Sequence, residues 1–338
     1  MDWILSLAVV LSFLVSLVGT TLWIRKCRSS GLLWEDMNKF GKPKNVAASG
    51  GIGVILGFLV GILFYIAFRT FLLHATDSVT VPLFALMTVI LILALVGLTD
   101  DFLGWHHGGL SARVRVLLAI FASIPLVVIN AGDSTISLPF FGTVDLGWMY
   151  SLILIPVGIA ATTTVYNFLA GVDGLESGLG ILIIGFLSYV AYVTGSAWLA
   201  IVGLCMVASL FAFWLFNKAP ARVFPGDVLT YCIGAMIGSM AILGNFERIA
   251  FIVFIPFIVE MILKVRGYFA FNNGKFPQSF GIPQKDGSLK MPYKKVYGLT
   301  HFAMWTLSKI KAKVYKNDIV YFIYVIQIIF ILLAFLML

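Results

Sequence analysis

Charge is what this sequence has least of: Asp, Glu, Lys and Arg make up 11% of its 338 residues, against 61% hydrophobic residues and a mean hydropathy of +1.03. A water-soluble domain, about a quarter of whose residues are charged, is excluded. Cysteine is nearly absent too. Cys27, Cys205 and Cys232 lie far apart without metal-ligand spacing, which excludes a disulfide framework or a Cys-ligated zinc site and leaves them as packing residues. The period-two alternation of a membrane β-barrel is missing, so the chain must satisfy its backbone through helices. No basic residue precedes the first apolar run, "WILSLAVVLSFLVSLVGTTLWI", which is too long for a signal-peptide core and reads as a retained transmembrane helix.

What the sequence does have is apolar runs along nearly its whole length. Counted between polar or Gly/Pro breaks, they predict an all-α polytopic integral membrane protein of about ten helices. The expected spans are 3–24, 47–68, 81–98, 114–131, 149–167, 176–194, 198–216, 228–243, 249–265 and 318–337. They leave no room for a separate soluble domain, so residues 1–338 read as one transmembrane domain, with 266–317 as a loop within it. If both termini face outside, every Lys and Arg except Arg69 and Arg248 falls on the inner side. The positive-inside rule therefore orients the chain and makes 266–317 cytoplasmic.

That topology gathers three polar clusters at the inner rim. In "VGLTDDFLGW" the pair Asp100 and Asp101 closes the third span. Neighbouring helical residues project about 100° apart. The two carboxylates therefore face different partners, one a metal or reacting group, the other a cation such as Arg113 or Arg115; a solvated acidic loop start is the plainer alternative. In "TTTVYNFLAGVDGLESGLG" Asn167 and Gly171 are four apart, as on one helix face, and the bare Gly171 backbone would admit a ligand closely. Asp173-Gly174 fits equally well as a tight turn. In "NKAPARVFPGDVLTYCIG" Asp227 follows Pro225-Gly226 and reads as an N-cap or a ligand. Hard oxygen donors without His or Cys point to magnesium, which takes one or two carboxylates plus substrate phosphates.

Other ionisable residues are less telling. Asp77, Asp133, Asp145, Glu247 and Asp318 fall at outer loops or helix ends, while Glu260 falls within a span, as a structural or a functional group. His106 and His107 read as loop residues, and His301 opens an interfacial stretch, "HFAMW". Lys275, Lys285, Lys290, Lys294 and Lys295 fill the last inner loop, where lysines serve topology and anionic lipid or clamp a diphosphate.

Together, "EDMNKFGKPKNVAASGGI", "TDDFLG", "NFLAGVDGLE", "FPGDVLTYCIG" and "DGSLKMPY" resemble the polyprenyl-phosphate N-acetylhexosamine-1-phosphate transferases over nearly the whole chain. The likeness is greatest to the eukaryotic and archaeal branch that makes N-acetylglucosaminyl-diphosphodolichol. The resemblance implies transfer of a sugar 1-phosphate from a UDP-sugar to a polyprenyl or dolichyl phosphate, with release of UMP, as the first lipid-linked step of N-glycan assembly. It implies Mg2+, or Mn2+, held by Asn167 and Asp227; a uridine pocket of Gly171, Asp173 and Phe224; and Asp100 and Asp101 as the catalytic pair that orients or deprotonates the lipid phosphate. Lys39, Arg115, Lys285 and Lys290 are the implied phosphate-binding residues. The Arg-His-Arg cluster of the eukaryotic enzymes and the His-rich cluster of the bacterial ones are both missing from the last loop. The implied location is the cell membrane, or the endoplasmic reticulum membrane of a eukaryote, with the active site on the cytoplasmic face. The partners expected are the UDP-sugar, the lipid and the bilayer, without nucleic acid; a homodimer stays open. The same reaction with another UDP-sugar or undecaprenyl phosphate is one alternative and a secondary transporter another, although transporters keep their ionisable groups nearer the bilayer centre.

Overall fold

The structure, a computed structural model, describes residues 2–74, 78–138, 142–271 and 275–338; Asp77 of the outer-loop acids lies outside them. Helix α1 (Asp2–Ser30) leads through a hairpin, β1 (Leu33–Glu35) and β2 (Lys44–Ala47), into α2 (Gly51–Phe71) and α3 (Thr80–His107). Two short helices follow, α4 (Ala112–Ala122) and α5 (Ile124–Val128), then a second hairpin, β3 (Thr135–Leu138) and β4 (Gly142–Asp145). A π turn at Tyr150–Leu154 opens into α6 (Ile155–Tyr166), followed by α7 (Leu175–Val193), α8 (Ala197–Asn217), α9 (Asp227–Gly244) and α10 (Glu247–Phe271). The chain ends with a two-residue ladder, β5 (Ile282–Pro283) and β6 (Leu289–Lys290), then α11 (Leu299–Leu307) and α12 (Lys316–Phe335).

Among the described residues seven helices, α1, α2, α3, α7, α8, α9 and α12, are long and apolar enough to cross a membrane. The other expected spans are helical but less regular. The span at 114–131 is divided at Ser123, because Pro125 supplies no N–H and crowds the preceding turn. The stretch Tyr150–Tyr166 is shorter, and α10 is one continuous helix whose apolar run carries Glu260 and Lys264. Helix α3 runs to His107 and stops at Gly108 in the left-handed region (φ 85°), so His106 and His107 belong to a helix and Asp100 and Asp101 lie before its end.

Helix α9 is the centre of the bundle, touching α2, α3, α6, α7, α8 and α10. Its apolar side chains are buried almost all round, as a core helix requires. Glycines let its neighbours approach: a Cβ on Gly97 of α3 would sit 2.5 Å from the Asp227 carbonyl oxygen, and one on Gly234 of α9 would sit 2.4 Å from that of Thr162 on α6. These approaches bring the ends of α3, α6 and α9 together.

Candidate active site

A cavity of about 310 Å3 opens where those ends meet. Its wall takes in Asp100, Asp101, Arg115, Asn167, Gly171, Asp173, Phe224 and Asp227, residues far apart in the sequence. Lys39, Lys285 and Lys290 are absent from it. Lys39 is exposed on the β1–β2 connection, while Lys285 and Lys290 lie on the wall of a second cavity of about 800 Å3, with Phe40 and Met304. Both are exposed, Lys290 on β6 and Lys285 on the turn between β5 and β6, and neither lines the acid-rich cavity.

Each carboxylate of the Asp100–Asp101 pair has its own partners. Asp100 is 3% exposed; it accepts from the Leu110 amide (2.6 Å) and the Tyr231 hydroxyl (3.2 Å) and lies 2.8 Å from Nε of Arg115. Asp101 instead accepts from the backbone amides of Asp227 (2.8 Å) and Val228 (3.4 Å). Asp101 therefore caps α9 from another helix, placing negative charge on the positive end of the α9 dipole. That corrects the reading of Asp227 as an N-cap. The cap residue is Gly226 (φ 71°), and Asp227 is the first helical residue, its carboxyl freed from capping duty.

Asn167 and Gly171 share the cavity but not a helix face, since α6 stops at Tyr166 and Asn167 is its C-cap. Gly171 follows in a loop at φ 112°, a conformation that favours glycine, and a Cβ there would lie 2.6 Å from Cε1 of Phe280. If the cavity takes the nucleotide donor that the resemblance implies, Gly171→Ala is expected to raise the KM for that donor at least about tenfold, a loss of about 1.4 kcal/mol of binding, with the KM for the acceptor unchanged. Equal KM values in steady-state assays of both proteins would refute that.

Four further residues on or behind the wall escaped the sequence reading. Asn38 donates to the Gly171 carbonyl (2.7 Å) and accepts from the Gly281 amide (3.1 Å), so it joins two distant loops. Glu176, 4% exposed, accepts from the Gly171 amide (2.6 Å) and fixes that loop from α7. Both stand inside quoted motifs, "DMNK" and "NFLAGVDGLE", which is the signal that could have found them. Phe280, on the wall, and Lys316, behind it, had no local signal. The Phe280 strap is fastened from α10: Lys264 Nζ donates to the Pro277 carbonyl (2.6 Å) and to Ser279 Oγ (2.7 Å), and Glu260 accepts from the Leu299 amide. Glu260 is thus a structural group. His301, beside the same strap, meets the Gln278 carbonyl at 2.9 Å, and burial pushes its pKa down to about 4, leaving it neutral at pH 7.

The wall is strongly acidic: Glu35, Asp36, Asp100, Asp101, Asp173, Glu176 and Asp227 face it, and among the described residues Arg115 is its single cation. The Asp227 carboxyl meets that of Asp100, and two carboxylates in contact call for a shared proton or a cation between them. Asn167 Oδ1, which accepts from Thr230 Oγ1 (3.0 Å) one turn along α9 from Asp227, adds a neutral hard donor. Among the described residues no three His, Cys, Asp or Glu side chains form a ready-made cage. That combination fits magnesium, which binds through one or two protein oxygens and completes its shell with water and substrate phosphate.

A polytopic helical membrane protein with an acid-rich polar cavity at the helix ends is the class that fold and site define. The sequence profile of glycosyl transferase family 4 matches residues 83–245. A protein of Saccharolobus solfataricus, provisionally assigned as a UDP-N-acetylglucosamine–dolichyl-phosphate N-acetylglucosaminephosphotransferase, is 37% identical over 300 residues, covering 88% of this chain and 87% of its own. A Sulfolobus acidocaldarius protein with the same provisional assignment is 33% identical over 330 residues, covering 97% and 94%. The phospho-N-acetylmuramoyl-pentapeptide-transferase of Shouchella clausii is 31% identical over 274 residues, covering 77% and 81%. The chain belongs to glycosyl transferase family 4.

Proposed function

We propose that the protein transfers N-acetylglucosamine 1-phosphate from UDP-N-acetylglucosamine to a dolichyl-type polyprenyl phosphate, releasing UMP and leaving a lipid-linked diphosphate sugar, the first such intermediate of N-glycan assembly. The observation that carries this reading is the convergence of Asp100, Asp101, Asn167, Gly171, Asp173, Phe224 and Asp227 on one cavity. The names of the two archaeal relatives supply the substrates. In this reading α4–α5, Tyr150–Tyr166 and α10 complete ten crossings, both termini lie outside, and the cavity opens on the cytoplasmic face, where a soluble nucleotide sugar meets a phosphate carried by the bilayer.

The chemistry requires one P–O bond to form, from the lipid phosphate to the sugar-bearing phosphorus, as the bond to UMP breaks. A phosphate monoester has a second pKa of about 6, so the attacking oxygen is largely ionised at neutral pH and orientation matters more than deprotonation. Asp100 holds Arg115 where its guanidinium can engage the lipid phosphate. Asp101 fixes the backbone of Asp227, and Asp227 with Asn167 would hold Mg2+, or Mn2+. When bound, the ion supplies charge neutralisation to the diphosphate. Gly171, Asp173 and Phe224 receive the uridine, with Asp173 as a hydrogen-bond acceptor.

The test is an assay of UMP release by the purified full-length protein, given UDP-N-acetylglucosamine and a polyprenyl phosphate, with magnesium and then with EDTA. Release that needs the lipid and stops on chelation is expected. Uptake of substrate into vesicles without UMP would overturn the reading in favour of transport. The bacterial relative favours one variant of the scheme, another UDP-sugar or undecaprenyl phosphate, which paired substrates in the same assay distinguish.

A further inference from the structure

We infer that Lys316 is a positioning residue of the nucleotide pocket, acting through Asp173; the inference rests on the proposed use of a UDP-sugar. Lys316 is the first residue of α12, distant in sequence from every motif, yet its ammonium lies 2.9 and 2.8 Å from the two oxygens of Asp36 and 3.1 Å from Oδ2 of Asp173. Its side chain is 16% exposed and the two carboxylates are nearly buried, so bulk water screens this ion triad little.

The contacts form a closed ring. Asp36 Oδ1 accepts from the Asn38 amide (3.1 Å), and the Asn38 side chain donates to the Gly171 carbonyl (2.7 Å). From Gly171 the chain runs two residues to Asp173, and Lys316 closes the loop back to Asp36. The β1–β2 connection, the 167–174 loop and the last helix are thereby tied together at one ammonium.

The consequence lies in which oxygen of Asp173 is left. Oδ2 is taken by Lys316 and by the Ala221 amide (3.2 Å), and among the described residues no donor is assigned to Oδ1. Since Asp173 is on the cavity wall, Oδ1 is the oxygen offered to a ligand. A uracil imide N–H needs an ionised, fixed acceptor there. Burial raises the Asp173 carboxyl above its ordinary range, and the charge of Asp36 adds to that, while Lys316 opposes both; Glu176 is the other carboxylate facing it. Without Lys316, Asp36 and Asp173 would repel each other across a nearly buried site, and one would take a proton.

The test compares full-length wild type, Lys316→Met, Lys316→Arg and Asp36→Asn, following the KM of each substrate from about pH 5.5 to about pH 9, a range that brackets carboxyls raised by burial. For Lys316→Met the donor KM should rise about tenfold or more and kcat should fall less than KM rises. The lipid phosphate KM should hold. The donor KM should also climb, as pH falls, from a midpoint above that of wild type, because losing the cation lets Asp173 protonate earlier. Lys316→Arg should restore most of the affinity. Asp36→Asn keeps the bond to the Asn38 amide and leaves the ammonium to Asp173 alone, so its midpoint should move down instead. This second variant keeps the inference testable if Lys316→Met does not fold. A lower melting temperature in Lys316→Met with donor KM and pH midpoint unmoved would make Lys316 a structural anchor and overturn the inference, as would two shifts of the same sign. Wild-type protein that releases no UMP from any UDP-sugar would instead overturn the functional reading, and this inference with it.

Discussion

Asp227→Ala should abolish UMP release and leave the protein folded. The expected loss is at least about 10²–10³-fold in kcat, the scale of removing one preorganised group that stabilises charge in a transition state. Retained folding follows from the geometry. The cap on α9 runs from Asp101 to the backbone amides of Asp227 and Val228, so removing the Asp227 side chain leaves both bonds in place. The favourable interaction of the Asp227 charge with the α9 dipole is lost, but at about 0.3–1 kcal/mol it is small beside the packing of a helix buried in the bundle core. What the substitution removes is a carboxylate from the acidic wall, the one that meets Asp100 and that capping does not occupy. UMP release at the wild-type rate would remove Asp227 from the metal site. A circular-dichroism melt alongside the assay checks the fold.

The membrane-spanning architecture was legible because burial in lipid imposes a composition and a segment length that no soluble core needs. Helices occupy each expected run, and the deviations have local causes, such as Pro125 dividing one span and the ionisable pair Glu260 and Lys264 lowering the apolar character of another. The acids and the amide of the cavity were legible because few reasons exist to place Asp100, Asp101, Asn167, Asp173 and Asp227 at the ends of apolar helices. Their partners were not. Nothing local to Asp101 says that it caps another helix, because that role depends on the close approach of α3 to α9 at Gly97. The placement of the lysines was not legible for the same reason. Lys285 beside the motif "DGSLKMPY" and Lys290 within it line the second cavity, whereas Lys316, at the start of α12, reaches two of the acids.

The two neighbouring aspartates should fail differently when each is changed to Asn, which keeps size and removes charge. On the proposed reading, Asp101 would act on the metal site through the backbone of α9. An Asn there offers one acceptor oxygen where two amides now find a carboxylate, and its NH2 group would face the second N–H. The start of α9 would shift or fray, and Asp227 with it. Substitution of a group that orients a metal ligand costs about 10–100-fold in metal affinity or activity. Asp101→Asn should therefore raise the magnesium concentration needed for half-maximal rate by that factor, and added magnesium should recover much of the rate. Asp100 touches no part of the α9 backbone; its partners are Arg115, the Tyr231 hydroxyl, the Leu110 amide and the Asp227 carboxyl. Asp100→Asn releases Arg115, which is partly exposed and would swing toward solvent, so the KM for the lipid phosphate should rise; the Asn amide can still donate to the Asp227 carboxyl and the α9 cap is untouched, so the magnesium requirement should change less than in Asp101→Asn. Titrating magnesium and lipid phosphate separately on both variants distinguishes these effects. Parallel, mild losses in the two variants would mean that neither carboxylate has the partner-specific task its contacts indicate, and that the pair only solvates the end of α3.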